Sequence, residues 1–278
     1  MSISQVQIEE LRSLRPDILL ITPDSPDYQK AIHRWLALSI RPAGLVSYLM
    51  TPQHISVLAS FASTHSLDVA VTSGGHGVRS VSSSAGGLVI DLSRFKTLSV
   101  SGNEARIGAG CLWSEIYSFL GERELGIVGG VCTGVGIGGY SLLGGYGWLT
   151  GAHGPAVDNI ISVIIVLASG EIVRAAEHEN VDLFWTIRGA EPAFGIVCEF
   201  VMKVHPQANL VWNGAMVFAR KDLKTVLGVA DSVMGPGNEK GKVAMDFTWG
   251  VRPDPEDEIK ITKSWYFRMG VRKMRGRF

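Results

Sequence analysis

An α+β fold is what this sequence predicts, and three features predict it. Helix-period and strand-period stretches alternate over the first third of the chain. Short strands divided by polar turns follow, and a glycine-dense tract suited to neither period interrupts the middle. The 278 residues suffice for one large or two modest domains. With 46% hydrophobic and 19% charged residues, the chain is too apolar to be intrinsically disordered. Lys and Arg number 26, as do Asp and Glu, so no net field draws the protein to nucleic acid or to an anionic membrane.

The first helix is signalled by a capping box, Ser4 with Gln7 three residues on, ahead of Val6, Ile8, Leu11 and Leu14 on roughly one side. Ser25 as cap and Pro26 at the first helical position start a second helix over residues 28–36. Residues 44–50 read as a strand. Thr51 and Pro52 open a helix with Ile55, Leu58, Ala59 and Ala62 on one face, and 67–72 is the next strand. That strand, helix, strand unit makes the two strands parallel. Strands at 88–92, 97–101 and 105–109 precede a helix bearing Trp113, Ile116, Tyr117 and Leu120. Residues 160–167 and 171–175 form a hairpin around Ser169 and Gly170, Asn180 caps a short helix, and 195–204 is a strand. Phe184 and Trp185 on that short helix are expected in the core.

After Pro206 the pattern changes to a separate small sheet. Strands are expected at 210–218, 243–250 and 258–267, with a helix over 221–234 and a Gly/Pro/charged loop at 235–242. The last strand is expected to be an unpaired edge through which chains could associate. The end, 268–278, is basic, without an acid, and is expected to be frayed.

Cys111, Cys132 and Cys198 are odd in number and widely spaced, which excludes a disulfide framework and a C-x-x-C metal pair. The first seventeen residues carry acids and amides where a signal peptide needs a positive end and an apolar stretch. No segment reaches the ~18 apolar residues of a membrane span, so a cytoplasmic protein is expected.

The 33 glycines, about 12% of the chain, exceed the usual ~7% and fall into two clusters. In Ser73, Gly74, Gly75, His76 and Gly77, directly after a strand, successive bare N–H groups can converge on an anion such as a pyrophosphate. A tight surface turn with a solvated histidine fits the same five residues. The tract 126–154 holds 12 glycines, and no ordinary helix or strand is expected across it. Such a loop is entropically costly, and close approach of backbone to an extended ligand is the commonest compensation. Gly134 to Gly139 also satisfies G-x-G-x-x-G, with Asp158 placed for a ribose contact, which raises a nicotinamide alternative. It is disfavoured because the motif should follow a buried strand and open a helix, whereas further glycines flank it on both sides. Gly108-Ala-Gly110 does precede a helix, but Trp113 stands where the third glycine is needed.

Eight ordered motifs, from Pro42-Ala43 to Phe194-Gly195-Ile196-Val197, resemble those of the berberine-bridge-enzyme-like FAD-linked oxidoreductases. Between these ends lie Thr72 to Gly77, Gly87 to Ser93, Gly108 to Gly110, Gly129 to Gly139, Gly144 to Gly147, Asp158-Asn159 and Asp182 to Gly189. The resemblance implies a vanillyl-alcohol-oxidase or PCMH-type FAD-binding domain of two α/β subdomains over 41–208. N-terminal helices (1–40) would precede it, and an incomplete antiparallel-sheet substrate domain (209–278) would follow.

The resemblance also implies roles. His76 matches a histidine bonded to the flavin 8α carbon, and Cys132 a cysteine bonded to C6. Both are nucleophiles suited to an electrophilic ring. Ser73 to Gly77 would hold the pyrophosphate. Gly136, Gly138, Gly139, Gly144, Gly145 and Gly147 would line the flavin and its ribityl chain, with Gly195, Ile196 and Val197 at the pyrimidine edge. The implied activity is hydride transfer from a small alcohol, sugar or alkaloid-like substrate to FAD, with O₂ as reoxidant; the alternative is a flavin-binding remnant or partner subunit without turnover. Ser80, Leu143 and Ala190 to Ala193 depart from the family pattern, with Leu143 placed to crowd the flavin channel. The family's general-base glutamate lies beyond Phe278, so no catalytic residue carries over.

Overall fold

A computed structural model describes residues 2–208, 212–235, 243–251 and 259–267. The loop expected beyond Gly235 and the basic tail lie outside these residues.

The first half is built on a four-stranded sheet. Helix α1 (Gln5–Leu14) carries the expected capping box, with the Gln7 N–H donating to Ser4 Oγ and the Ser4 N–H to Gln7 Oε1. Strand β1 (Leu19–Ile21) follows, then α2 (Tyr28–Ala31), β2 (Leu45–Tyr48), α3 (Pro52–Thr64), β3 (Val69–Thr72) and β4 (Leu88–Asp91). Thr51 caps α3 by accepting from the His54 N–H, with Pro52 in the first turn. Strands β2 and β3 are parallel as expected, but they are not neighbours. The sheet order is β1-β2-β4-β3, and β4 lies between them, paired in parallel with each. Because β4 is flanked on both sides its four residues are all buried, which suits the apolar run Leu88-Val89-Ile90.

Helix α2 departs from the expected 28–36. It is a single turn with Asp27 at its N-cap, while the Ser25 hydroxyl is engaged by the Thr22 N–H. The chain leaves the helix after Ile32 because the Arg34 guanidinium takes the carbonyls of Ala31 and His33, and the Trp35 N–H donates to Gly75.

The second layer is antiparallel. It comprises β5 (Leu98–Ser101), β6 (Glu104–Gly108), β8 (Ile160–Val166), β9 (Ile172–Ala176) and β10 (Ile196–Lys203), in the order β5-β6-β10-β8-β9. A two-residue strand β7 (Leu125–Gly126) pairs with β11 (His205–Pro206). Helix α4 (Trp113–Gly121) sits after β6, and α7 (Val181–Ile187) after β9. Phe184 is buried as expected, but Trp185 is 74% exposed. Adjacent helical residues point about 100° apart, and α7 has only one buried side.

One hydrophobic cluster joins the two sheets: Leu45, Leu88 and Ile90 from the first meet Ile107, Val163, Ile165 and Phe200 from the second. Ser60 of α3 also donates to the Ser169 carbonyl at the β8–β9 turn, at 2.9 Å. On the opposite face of the first sheet, Val46, Ala70 and Val89 pack against Tyr28, Ala31 and Ile32.

The glycine tract contains more regular structure than its composition suggests. Helices α5 (Ile137–Leu142) and α6 (Thr150–His153) form within it. Gly138 and Gly139 are tolerated because α5 is only six residues long and Gly138 passes close to Ser73.

Beyond Pro206, β12 (Trp212–Ala219), α8 (Leu223–Met234), β13 (Val243–Val251) and β14 (Ile259–Phe267) give the expected separate sheet, ordered β12-β14-β13. The last strand is therefore central. It is antiparallel to both neighbours along its length, so the expectation of an unpaired final edge is overturned. Association of chains through β14 loses its basis with that edge.

Candidate functional site

The parallel strands end on one side, where β3 runs into Ser73-Gly74-Gly75-His76-Gly77. The C-terminal edge of such a sheet is where backbone donors are free to meet a ligand. Ser73 Oγ donates to the Ala109 carbonyl at 2.6 Å, which pins the start of the loop to the second layer. Gly75 turns the chain at φ +68°, and among the described residues none of the backbone N–H groups from Ser73 to Gly77 has an acceptor. Five consecutive unsatisfied donors in a half-buried turn are a costly arrangement unless an anion or solvent takes them.

The turn facing this loop comes from the glycine tract. The Trp113 and Ser114 N–H groups at the start of α4 donate to the carbonyls of Val135 and Thr133, and the Ile137 N–H donates to Cys111. Gly74 and Gly136 lie so close that a Cβ on either would run into the other's backbone. Two loops remote in sequence thus interlock, and between them and the start of β10 opens a cleft of about 350 Å³.

Of the residues singled out from the sequence, Ser73, Gly74, Gly75, His76, Gly77, Gly136, Gly138, Gly139, Ile196 and Val197 all line this cleft. Gly195 lines an adjoining groove of about 390 Å³, which shares Val71, Val81 and Ile196 with the cleft. Cys132 is exposed at the start of the 132–135 turn. A Cβ built on Gly134 would lie 3.6 Å from His76 Nε2, so that turn borders the imidazole. Gly144, Gly145 and Gly147 stand off the cleft. The Gly144 and Gly145 carbonyls accept from Val157 and Ala156, and a Cβ on Gly145 would come within 2.6 Å of the Tyr140 ring. Asp158 lines a different hollow, with Arg174, Arg188 and Lys203. The Arg188 guanidinium also sits 4.7 Å over the Phe184 ring.

Several lining residues had no sequence signal. Trp35 falls within the expected 28–36 helix, and none of the motifs singled out includes Ser82 or Tyr140. The Ser82 and Tyr140 hydroxyl oxygens are buried without a hydrogen-bond partner among the described residues, and both side chains line the cleft. Burial pushes the Tyr140 phenol far above its ordinary pKa, so it is a neutral donor. Burial also lowers the His76 pKa, which favours the neutral imidazole. Leu143, expected to crowd the site, does line it, but its side chain is half exposed at the rim. Ser80 sits at φ +58°, a conformation a glycine would adopt without strain.

The G-x-G-x-x-G run does open a helix, since Gly136 caps α5, contrary to the expectation that it would not. No strand leads into it, because residues 131–135 form a turn, so the run lacks the strand that a nicotinamide-binding motif requires.

An unpartnered five-amide loop and an imidazole whose neutral form burial favours, lining one cleft, fit a long phosphorylated ring cofactor. Residues 43–176 match the FAD binding domain family. The FAD-linked oxidoreductase pgmH of Aspergillus terreus is 40% identical over 237 residues, covering 84% of this chain and 48% of its own. The crystal structure of 6-hydroxy-D-nicotine oxidase from Arthrobacter nicotinovorans superposes with a TM-score of 0.85 at 25% identity, covering 92% of this chain and 56% of that one. A glucooligosaccharide oxidase from Acremonium strictum, whose FAD is described as 6-S-cysteinyl, 8α-N1-histidyl, shares the fold at TM-score 0.80 and 22% identity, covering 95% and 55%. The chain spans about half the length of the curated relatives it matches. Among the described residues no helix is long and apolar enough to cross a membrane.

Proposed function

We propose that the chain, whose residues 43–176 match the FAD binding domain family, is an FAD-linked oxidoreductase that holds FAD in this cleft, tethers it through His76 and Cys132, and oxidises a small organic substrate. The observation that carries the reading is the unpartnered N–H run from Ser73 to Gly77, on a loop that lines the cleft together with a histidine whose pKa burial lowers. When bound, the flavin supplies two-electron hydride acceptance and reoxidation by O₂.

The chain's own residues divide the remaining work. The 73–77 amides bind the pyrophosphate without any cationic side chain, which suits a chain of zero net charge. The cleft and the adjoining groove share Val71, Val81 and Ile196 as apolar lining. His76 meets the ring as an unprotonated nucleophile, and Cys132 as an exposed thiol on the bordering turn. The FAD-binding unit would span 41–208 and the substrate sheet 209–278. The substrate would be a small alcohol, sugar or alkaloid-like compound.

The test is to purify the chain, incubate it with FAD in air and precipitate it with acid. A yellow pellet with flavin mapped to peptides containing His76 and Cys132, and bleaching on anaerobic addition of a substrate from one of these classes, is the expected result. A colourless protein that refuses FAD overturns the reading. Retained colour without bleaching by any of them leaves a flavin-binding chain without turnover.

A further inference from the structure

We propose that Arg34 and Trp35 are positioning residues for cofactor attachment at His76, forming a clamp that fixes the 75–82 loop and sets the plane of its imidazole. This rests on the covalent reading above and extends it to a segment that precedes the matched family stretch.

Trp35 is 64% exposed, an unusual place for an indole with no core to fill. Its ring nonetheless stacks on His76, with centroids 5.3 Å apart and planes within 17°. Its backbone N–H donates to the Gly75 carbonyl at 3.1 Å, so ring and backbone of one residue grip two successive residues of the loop. Arg34 is the reverse case, a charged side chain only 3% exposed. Its guanidinium has no carboxylate in salt-bridge contact among the described residues and is spent on carbonyls. Nε and Nη2 donate to Ser82 at 2.9 and 2.6 Å, and Nη1 to Ala31 and His33 at 3.2 and 2.7 Å. Its Cδ packs beneath Gly75, 3.5 Å from where a Cβ would stand. Ser39 Oγ completes the grip by donating to the Val78 carbonyl at 3.1 Å. The loop is therefore held at its start, middle and end from one short segment, 34–39.

Burying a guanidinium against carbonyls alone is expensive, and a surface stack holds little of the fold together. Both make sense as devices for orientation. Attachment replaces one C–H bond of the flavin 8α methyl with a C–N bond to the imidazole. Two protons leave, one from carbon and one from the ring nitrogen, and the two electrons pass through the flavin to O₂, giving hydrogen peroxide. The nitrogen must point at one carbon, and an imidazole free to spin about two bonds seldom does. The indole face removes that freedom and shields one side of the ring from water.

The test uses the full chain as apoprotein mixed with FAD in air. With FAD saturating each variant, Trp35→Ala should accumulate acid-stable flavin about tenfold more slowly than the parent, with Trp35→Phe restoring most of the rate. The His76 ring signals, followed by NMR in the apoprotein, should titrate at higher pH in Trp35→Ala than in the parent, a shift that a merely structural role would not produce. Arg34→Lys, which cannot span the same carbonyls, should slow attachment in the same way with FAD saturating. Attachment in Trp35→Ala at the parent's rate, or a slowed rate that Phe does not restore, overturns the clamp while leaving covalent attachment intact. A parent chain that binds FAD but never attaches it overturns the covalent reading, and the clamp with it.

Discussion

Between residues 73 and 77 the backbone N–H groups find no acceptor among the described residues, whereas four of the nine glycines from Gly129 to Gly147 sit where a Cβ would strike a ring or a carbonyl. Gly129 and Gly130 lie against the Trp113 ring, Gly145 against Tyr140 and Ala156, and Gly147 against the Gly129 carbonyl. In the first cluster Gly74 is bare to admit Gly136, while the amides of the loop are left without acceptors. Much of the second is bare so that the chain can reach itself, wrapping around Trp113, Tyr117 and Tyr140. Glycine density marks close approach without saying what approaches. Only the pairing of Gly136 and Gly138 with the first loop brings the long tract to the cleft.

That contrast can be broken most directly by adding single methyl groups. In Gly129→Ala the new Cβ would stand 2.6 Å from Tyr117 Oη and closer still to the Trp113 ring, and in Gly147→Ala it would overlap a carbonyl. Each should destabilise the protein by about 3 kcal/mol in denaturant unfolding of the apoprotein. Gly139→Ala is the counterpart. Gly139 is exposed in α5 with nothing within 4 Å of its missing Cβ, so alanine should stabilise the apoprotein by about 0.5–1 kcal/mol. The same methyl enters the cleft and should weaken FAD binding about tenfold. Stability and affinity moving together in Gly139→Ala would mean that the cleft is not where FAD sits, and a Gly147→Ala protein of parental stability would refute the packing account.

Most of the fold was legible in the sequence because its elements announce themselves locally. The capping box at Ser4, the Thr51-Pro52 start of α3 and the Ser169-Gly170 turn are signals read from adjacent residues. What failed depended on partners far away. The pattern at 28–36 is helical, and only the distant carbonyls of Gly75 and Ser82 show why the chain leaves the helix to clamp a loop. Strand β4 slips between β2 and β3, and β14 between β12 and β13, and no local pattern encodes such insertion. For the site, His76 and its glycines stand out by composition. Trp35, Ser82 and Tyr140 do not, because orphaned hydroxyls and exposed stacks exist only once the fold is formed.

A sharper version of the comparison uses the three cysteines, since only one of them lies in the glycine tract. Cys111 and Cys198 are buried, and burial raises their thiols to about 11 and about 12, where almost no thiolate forms near neutral pH. Cys132 is exposed on the turn bordering His76. A maleimide added to the native apoprotein should therefore label one thiol per chain, as counted by intact mass, and Cys132→Ala should label none. Prior incubation with FAD should protect the site. Labelling of Cys111 or Cys198 in the native protein would mean that the core between the two sheets opens readily.

The smallest expected effect concerns protons on the first loop. Burial holds the His76 pKa below its ordinary value of 6.5, so on acidification the unfolded chain takes up this proton before the folded one does. Above that value His76 adds nothing to the pH dependence. Below it the folded state loses ground, and the loss is complete once the pH has fallen past the folded pKa. His76→Gln removes the contribution and keeps a polar ring-sized group, so its apoprotein melting temperature should fall less than the parent's between about pH 7 and about pH 5. The imidazole is still partly in contact with water, which is why the difference should be small beside the glycine variants. The same titration repeated in Trp35→Ala should fall between the two curves, because removing the indole rehydrates one face of the ring and leaves the other beside the Gly134 turn.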